Sequence, residues 1–271
     1  MSDESSIPAG EPLTVAQAIV NLECDDLSLR TYAAWWLGKF RVDDRAVVPG
    51  LMVALNDEAD RTPEGGYPLR RNAARALGKL GDVQAVPALI ESLNCTDFYV
   101  REAAAQSLEM LGDMSCIPAL TQILAVAVQD GQLLPSGRDF SQPYDAVLEA
   151  LGTLGATGAV PLIELFCEHP LPRIQFAGLR SMYQLTQDSS YGDRLVTALS
   201  HPDLQVRRTL LADLGAIGYL PAAVPIAQTH AENSLKLIAL KGLLESQILL
   251  SPADRLSDGA IEVMNLMDGL L

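Results

Sequence analysis

Aromatic residues are scarce in this chain, and their scarcity narrows the fold class before any motif is considered. Only 5% of the 271 residues are aromatic, whereas 49% are hydrophobic, with alanine and leucine the most frequent. The alternating Val, Ile, Tyr and Phe that mark half-buried strands are missing, and Ala and Leu are strong helix formers. The composition therefore predicts an all-α protein with no sheet.

Basic charge is also scarce. The chain has 19 Lys and Arg against 34 Asp and Glu, which gives a formal net charge of −15. A surface that binds nucleic acid needs clustered Lys and Arg to neutralise phosphates, and anionic membranes repel an acidic protein. We therefore expect no nucleic-acid partner and no membrane partner.

Long apolar runs and paired cysteines are missing as well. The longest uncharged stretch, residues 214–231, contains Pro221 and Pro225, so it predicts a helical turn rather than a membrane span. The first residues are polar, unlike a secretory signal, and the four cysteines form no CxxC pair. The three histidines show no metal-ligand spacing. We expect a cytoplasmic protein with reduced thiols, no metal site and no cofactor of its own.

A repeated segment is the main feature that is present. Leu69 and Val100 begin two copies 31 residues apart, both running through an Ala-Ala pair to Leu-Gly-Asp and then a Pro. A fixed period of this length indicates a solenoid of about seven units. The other copies begin at Leu29, Ile174, Val206 and Leu235, and a further one includes Leu151–Gly155.

The physical logic of one unit is that of a helical hairpin. In the copy that begins at Leu69, the apolar residues Ala73, Ala74, Leu77 and Leu80 share one helical face. The glycine after Leu80 ends this helix, and Val-Pro begins the next one. The sequence thus predicts a right-handed α-solenoid of about seven HEAT-like helical-hairpin repeats over residues 13–250.

Four segments lie outside the repeat frame. Residues 1–12 are expected to be a disordered N-terminal tail. Residues 56–68 and 130–143 are rich in Gly, Pro and polar residues, so they are expected to be surface loops, either at a functional edge or as tolerated insertions. Residues 251–271 predict an amphipathic C-terminal helix that either caps the stack or docks on a partner.

Several blocks resemble one family more closely than the general repeat does. They resemble the E-type subunits of the E/F-type heterodimeric phycocyanobilin lyases, which belong to the HEAT-like phycobilisome lyases. The blocks that carry the resemblance are residues 32–42, 58–82, 95–112, 232–245 and 263–268. Within them, Trp35-Trp36 and Gly65–Pro68 are not part of the repeat and are the more specific segments.

The resemblance implies a definite function. Such a subunit pairs with an F-type subunit, and the pair attaches phycocyanobilin through a thioether to a cysteine of the phycocyanin α chain in the cyanobacterial cytoplasm. The attacking thiolate belongs to the acceptor, so the lyase needs no nucleophile. Two alternatives remain open: a bilin-binding chaperone or phycobilisome-degradation adaptor without chemistry, and a lyase subunit for phycoerythrocyanin or phycoerythrin.

A bilin lyase needs cations for two propionates, aromatic planes for the pyrrole rings, and a carboxylate near the pyrrole nitrogens. The face of the Ala-Ala helices opposite their packed side, expected to be concave, supplies candidates of each type. Glu149 is the candidate catalytic carboxylate. The predicted bilin-binding residues are Tyr32, Trp35, Lys39, Asn72, Arg75, Lys79 and Gln106.

Other notable side chains have structural interpretations. Arg70, Arg101 and Arg207 share the second position of the repeat, where a ladder of hydrogen bonds between repeats is expected. Trp36 is expected to pack between repeats. Cys95 has two interpretations, a structural thiol or a transient bilin carrier, and the first is favoured.

Overall fold

A computed structural model describes residues 13–134, 142–250 and 255–271. The predicted tail 1–12 lies outside the described residues, as do 135–141 of the second predicted loop and 251–254 of the C-terminal segment. The chain divides into two compact units, Met1–Cys116 and Ile117–Leu271.

Helices account for most of each unit. The first unit contains α1 Val15–Asn21, α2 Leu27–Lys39, α3 Val47–Ala54, α4 Pro68–Leu80, α5 Val86–Ser92 and α6 Phe98–Leu111. The second contains α7 Ile117–Ala125, β1 Val128–Gln129, β2 Gln132–Leu133, α8 Tyr144–Thr153, α9 Val160–Phe166, α10 Pro172–Thr186, α11 Ser189–Ala198, α12 Leu204–Ile217, α13 Ala223–Gln228, α14 Asn233–Leu250 and α15 Asp258–Asp268. Single 3-10 turns precede α5, α7, α9 and α13.

The helices that carry the Ala-Ala pattern pack side by side. In the first unit α4 lies between α2 and α6, and in the second α8, α10, α12 and α14 follow one another. The short helices α1, α3 and α5 each pack on the long helix that follows them, as do α7, α9, α11 and α13. The predicted all-α fold of HEAT-like helical hairpins is confirmed.

Small residues allow these long helices to approach closely. Gly38 on α2 faces Ala76 on α4, and a Cβ added at Gly38 would lie 2.6 Å from the Ala76 Cα. One repeat further on, the Ser107 hydroxyl of α6 donates to the Ala74 carbonyl of α4 at 2.8 Å. A larger side chain at Gly38 would therefore force the helices apart, which costs packing energy.

The Leu-Gly-Asp motif ends the helices as predicted. Gly81 and Gly112 have φ values of 78° and 71°, the left-handed conformation that favours glycine at a helix C-terminus. Asp82 then accepts a hydrogen bond from the Gln84 amide at 2.9 Å and starts the 3-10 turn before α5. The motif thus reverses the chain within a few residues.

The arginines at the second repeat position hold backbone carbonyls. Arg70 donates to the Asp57 carbonyl at 2.6 Å, and Arg207 donates to the His230 carbonyl of the next repeat at 3.0 Å. Arg101 donates to the Cys95 carbonyl. All three arginines therefore make structural contacts, and the bond from Arg207 to His230 is the one of these that links a repeat to the next, as the expected ladder requires.

The expectation of no sheet is wrong at four residues. Val128 pairs with Leu133, and Gln129 pairs with Gln132, in an antiparallel hairpin. Asp-Gly is a preferred two-residue hairpin turn, and its residues here, at 130 and 131, have φ values of 52° and 75°. Each strand is only two residues long, which is too short for a pattern of alternating hydrophobicity to reveal it.

The C-terminal helix α15 packs on its own unit. Its side chains Ala260 and Val263 are fully buried, and α15 contacts both α13 and α14. Ile261 and Met264 point the other way and are 46% and 43% exposed. The helix therefore covers the end of the second unit and also leaves an apolar surface open.

Candidate functional site

The predicted bilin-binding residues share one layer of the first unit. They lie on α2, α4 and α6, which are successive neighbours. One groove brings together Tyr32, Trp35 and Asn72, whereas the other four do not line it. The aromatic pair and both lysines are exposed, and the other three are half-buried. In chain order these are Tyr32, Trp35 and Lys39 on α2, Asn72, Arg75 and Lys79 on α4, and Gln106 on α6.

Tyr32 and Trp35 form the wall of a groove of ≈ 570 Å³, here called the Tyr32–Trp35 groove. Their ring centroids are 5.5 Å apart, and the rings are 48% and 43% exposed. Leu27, Pro68 and Asn72 also line the groove. Large exposed aromatic rings beside a groove are suited to binding a planar, mostly apolar ligand.

Asn72 has a structural contact in addition to its place in the groove. Its side-chain amide donates to the Thr31 carbonyl at 3.2 Å, which links α4 to α2. This bond fixes the orientation of Asn72, so its carbonyl oxygen and its second N–H remain for a ligand.

The loop before α4 supplies an acidic residue that the repeat pattern did not identify. Asp60 lines the Tyr32–Trp35 groove. Its Oδ2 accepts from the Thr31 hydroxyl at 2.7 Å and from the Leu69 amide at 2.9 Å. These two bonds hold the loop against α2 and α4, so it forms part of the groove and is not a loose insertion.

The same loop is fastened by Tyr67. This ring is only 6% exposed, and the Arg70 guanidinium lies over it, with its carbon 4.2 Å from the ring centroid. The Tyr67 hydroxyl donates to Glu58 at 3.2 Å, and Glu58 also pairs with Arg70. Chiefly because of the hydrogen bond from Arg70, the pKa of Glu58 is lowered from its usual value. Part of the Gly65–Pro68 block is therefore structural.

The three predicted cations have no counter-charge among the described residues. No hydrogen bond or ion pair joins Lys39, Arg75 or Lys79 to another residue in the part of the chain that the structure describes. Lys39 and Lys79 lie in the last turns of α2 and α4. Unpaired cations on neighbouring helices of an acidic protein suit an anionic ligand.

Glu149 belongs to the second unit, on α8. Arg180 Nη1 lies 3.3 Å from a carboxylate oxygen of Glu149 and equally far from one of Asp213. Asp213 is 3% exposed. Burial raises its pKa to about 6, although Arg180 acts in the opposite direction. Glu149 is thus half-buried and engaged in an ion pair, so a pyrrole nitrogen would have to share it with Arg180.

Asp213 was missed because the repeat pattern assigns its position to packing. The equivalent residues are Ala76 in α4, Ser107 in α6 and Gly242 in α14, and all of them face a neighbouring helix. Apart from Trp36 in α2, the equivalent positions named here hold small residues, so a carboxylate at position 213 was a signal that the sequence offered.

Two of the four thiols have a raised pKa. Burial raises the pKa of Cys116 to about 11 and that of Cys167 to about 12. Cys24 and Cys95 are half-buried, and all four are free thiols. Within residues 13–134, 142–250 and 255–271 no group of three His, Cys, Asp or Glu residues is placed to hold a metal ion. No helix in those ranges is both long and apolar enough to cross a bilayer.

The paired helices and their glycine turns define the class of HEAT-repeat proteins, and the family model described as HEAT repeats matches residues 15–109 and 64–130. The chain belongs to the family of phycocyanobilin lyase alpha subunits. It is 61% identical over 276 residues to the phycocyanobilin lyase subunit alpha of Microchaete diplosiphon. This alignment covers all of this chain and 94% of the relative. The protein of that name from Thermosynechococcus vestitus is 55% identical, over all of this chain and 99% of the relative.

Two further comparisons bear on the same family. A chain in the structure of the complex of CpcE and CpcF of phycocyanin lyase from Nostoc sp. PCC7120 is 59% identical and has a TM-score of 0.85, with 100% of both chains covered. The bilin biosynthesis protein PecE of Nostoc sp. is 44% identical over 87% of this chain and 88% of that relative.

Proposed function

We infer that this chain is one subunit of a bilin lyase that attaches phycocyanobilin through a thioether to a cysteine of the phycocyanin α chain, together with an F-type subunit. The observation that carries this inference is the similarity, over the full length of both chains, to a chain in the complex of CpcE and CpcF of phycocyanin lyase. Relatives named phycocyanobilin lyase subunit alpha reach 61% identity, whereas PecE stands at 44%, which favours phycocyanin over a related acceptor. The lyase acts in the cytoplasm of a cyanobacterium.

The chemistry places little demand on this chain's own nucleophiles. The thiol of the acceptor adds across the ethylidene double bond of ring A, so sulfur bonds to carbon, the proton passes to the bilin and nothing leaves. The lyase holds the flexible bilin extended and presents ring A to the thiolate, which is catalysis by proximity and orientation. The raised pKa values of Cys116 and Cys167 agree with thiols that take no part.

The open face of α2, α4 and α6 is the proposed bilin site. Tyr32 and Trp35 pack on the pyrrole rings, and Asn72 and Gln106 offer amide groups along the same surface. Neighbouring packed helices lie about 10 Å apart, so an extended tetrapyrrole reaches two or three of them. The cations Lys39, Arg75 and Lys79 face the propionates. Glu149, on α8 of the second unit, remains the candidate catalytic carboxylate.

Coexpression tests this function with one component omitted at a time. The chain, an F-type subunit, the phycocyanin α chain and a source of phycocyanobilin are produced together in a bacterial host. The α chain should carry zinc-fluorescent pigment that survives a denaturing gel only when all four are present. Equal pigment without this chain would contradict the proposal.

A further inference from the structure

A second pocket lies beside the Tyr32–Trp35 groove and shares Pro68 with it. It is ≈ 450 Å³ in volume and is here called the Arg71 pocket. Phe98 and Tyr99, at the start of α6, form one wall, with ring centroids 5.5 Å apart. Tyr99 is 55% exposed, so an aromatic face is available there.

The opposite wall is the turn at Gly65 and Gly66. Gly65 has a φ of 89°, a left-handed conformation that favours glycine. The Gly66 amide donates to the Thr62 hydroxyl at 3.0 Å, which closes the turn. The Gly65–Pro68 block thus builds the pocket, in addition to its structural role around Tyr67.

Arg71 lines this pocket without a counter-charge. Its Nε is buried and has no hydrogen-bond partner among the described residues. Its guanidinium carbon lies 5.8 Å from the Tyr99 ring centroid, and no ion pair joins it to another described residue. A buried guanidinium nitrogen without an acceptor costs free energy. A ligand that brings an acceptor would remove this cost and so bind more tightly.

The preceding residue shows what a structural arginine looks like in this fold. Arg70 donates to the Asp57 carbonyl, pairs with Glu58 and lies over the Tyr67 ring. Its donors are engaged by the loop. Arg71, one position further along α4, has none of these contacts, so the fold does not account for it in the same way.

The acidic residues at the pocket do not neutralise Arg71. Asp97 accepts from the Tyr67 amide at 2.7 Å through one oxygen and from the Tyr99 amide at 2.8 Å through the other. Glu64 sits on the turn and is exposed. No ion pair joins Arg71 to Asp97 or Glu64 among the described residues, so the guanidinium remains available to an incoming anion.

We propose that the Arg71 pocket is a subsite for a carboxylate, namely one propionate of the bilin whose rings lie in the Tyr32–Trp35 groove. The guanidinium presents parallel N–H donors that match a carboxylate, and the Tyr99 ring covers the chain that carries it. The cations Arg75 and Lys79 face the second propionate. This subsite rests on the proposed function.

The test compares phycocyanobilin with its dimethyl ester, in which both propionates are blocked. Binding of each pigment to the complex with the F-type subunit is titrated by absorbance for wild type, Arg71→Ala and Arg71→Lys. Arg71→Ala should weaken binding of the free acid about 10-fold and leave the ester unchanged, because a charge-assisted pair is lost only with the acid. Arg71→Lys should fall between, and Arg45→Ala, an exposed arginine outside the pocket, should match wild type for both pigments.

Each other outcome is informative. Equal weakening of acid and ester by Arg71→Ala would show a structural role and overturn the subsite, and so would no weakening at all. If Arg71→Ala does not fold, Arg71→Gln against Arg71→Lys gives the same comparison. A wild-type complex that binds neither pigment and transfers none contradicts the proposed function itself, whereas wild-type transfer with an unselective Arg71→Gln contradicts only the subsite.

Discussion

Tyr32 and Trp35 lie one helical turn apart on α2, with ring centroids 5.5 Å apart and an angle of 33° between the ring planes. Both rings are more than two-fifths exposed, although the chain has only 5% aromatic residues. Exposure of two large rings side by side gives this fold little stability, because exposed apolar area is not removed from water. In the proposed function, the bilin covers both rings.

Trp35→Ala should therefore weaken bilin binding about 10-fold, since one well-packed aromatic contact is worth that order of affinity. The thermal midpoint of the variant should stay close to that of wild type. Phe40→Ala is the matched control, because Phe40 is 60% exposed, follows α2 and lies outside the groove. Titration of each variant with phycocyanobilin checks this, and equal affinities for the two variants would place the bilin elsewhere.

Glu149→Gln should lower the rate of bilin transfer roughly 10-fold or more while pigment binding changes little, as for the loss of a group that assists proton movement. The change also weakens the pair with Arg180. Glu168→Gln controls for this, because it breaks the pair with Arg194 in the same unit, where Glu168 is 74% exposed. Single-turnover transfer rates separate the two variants, and a Glu149→Gln rate equal to that of Glu168→Gln would remove Glu149 from the mechanism.

Asp213 predicts a distinct pH dependence of stability. Burial raises its pKa in the folded state from 3.8 to about 6. The folded state therefore binds this proton more tightly than the unfolded state does. The resulting contribution of Asp213 to the free energy of unfolding is fully present below about pH 4 and is lost as the pH rises to about 6. Relative to Asp213→Asn, wild type should lose on the order of 2 kcal/mol across this window.

Denaturant unfolding of wild type and Asp213→Asn at several pH values measures that difference. The groups around the carboxylate are Arg180, Glu149 and Asp145, and they are unchanged in the variant. A difference that is flat between pH 4 and 6, or that rises with pH, would contradict a raised pKa for Asp213.

The long helices were predictable, because their determinants are local. The Ala-Ala pairs at 33–34, 73–74 and 104–105 are fully buried, as a helical face with that spacing requires. Asp60 and Arg71 were not predicted as site residues, because their roles depend on a loop that folds back onto α2 and α4. A repeat pattern carries no information on where an insertion between repeats returns.

The C-terminal segment has two possible roles, capping the helical stack and docking on a partner, and two variants distinguish them. Deletion of residues 251–271 should weaken association with the F-type subunit, but it also uncovers the surface that Ala260 and Val263 bury. The double change Ile261→Ser and Met264→Ser keeps that buried face and removes the exposed apolar one. Analytical ultracentrifugation of both variants with the F-type subunit distinguishes docking from capping: if the double variant associates as tightly as wild type, the helix is only a cap.

A catalyst formed by this chain and an F-type subunit turns over many times, whereas a pigment carrier delivers one molecule per complex. The most direct measurement counts turnovers in a purified mixture of the two subunits, excess phycocyanin α chain and excess phycocyanobilin. Each lyase complex should yield many covalently coloured α chains, with pigment that resists denaturation and a rate proportional to lyase concentration. A yield that stops at one coloured α chain per complex, or that matches the rate without lyase, would contradict the account and favour a bilin-binding chaperone.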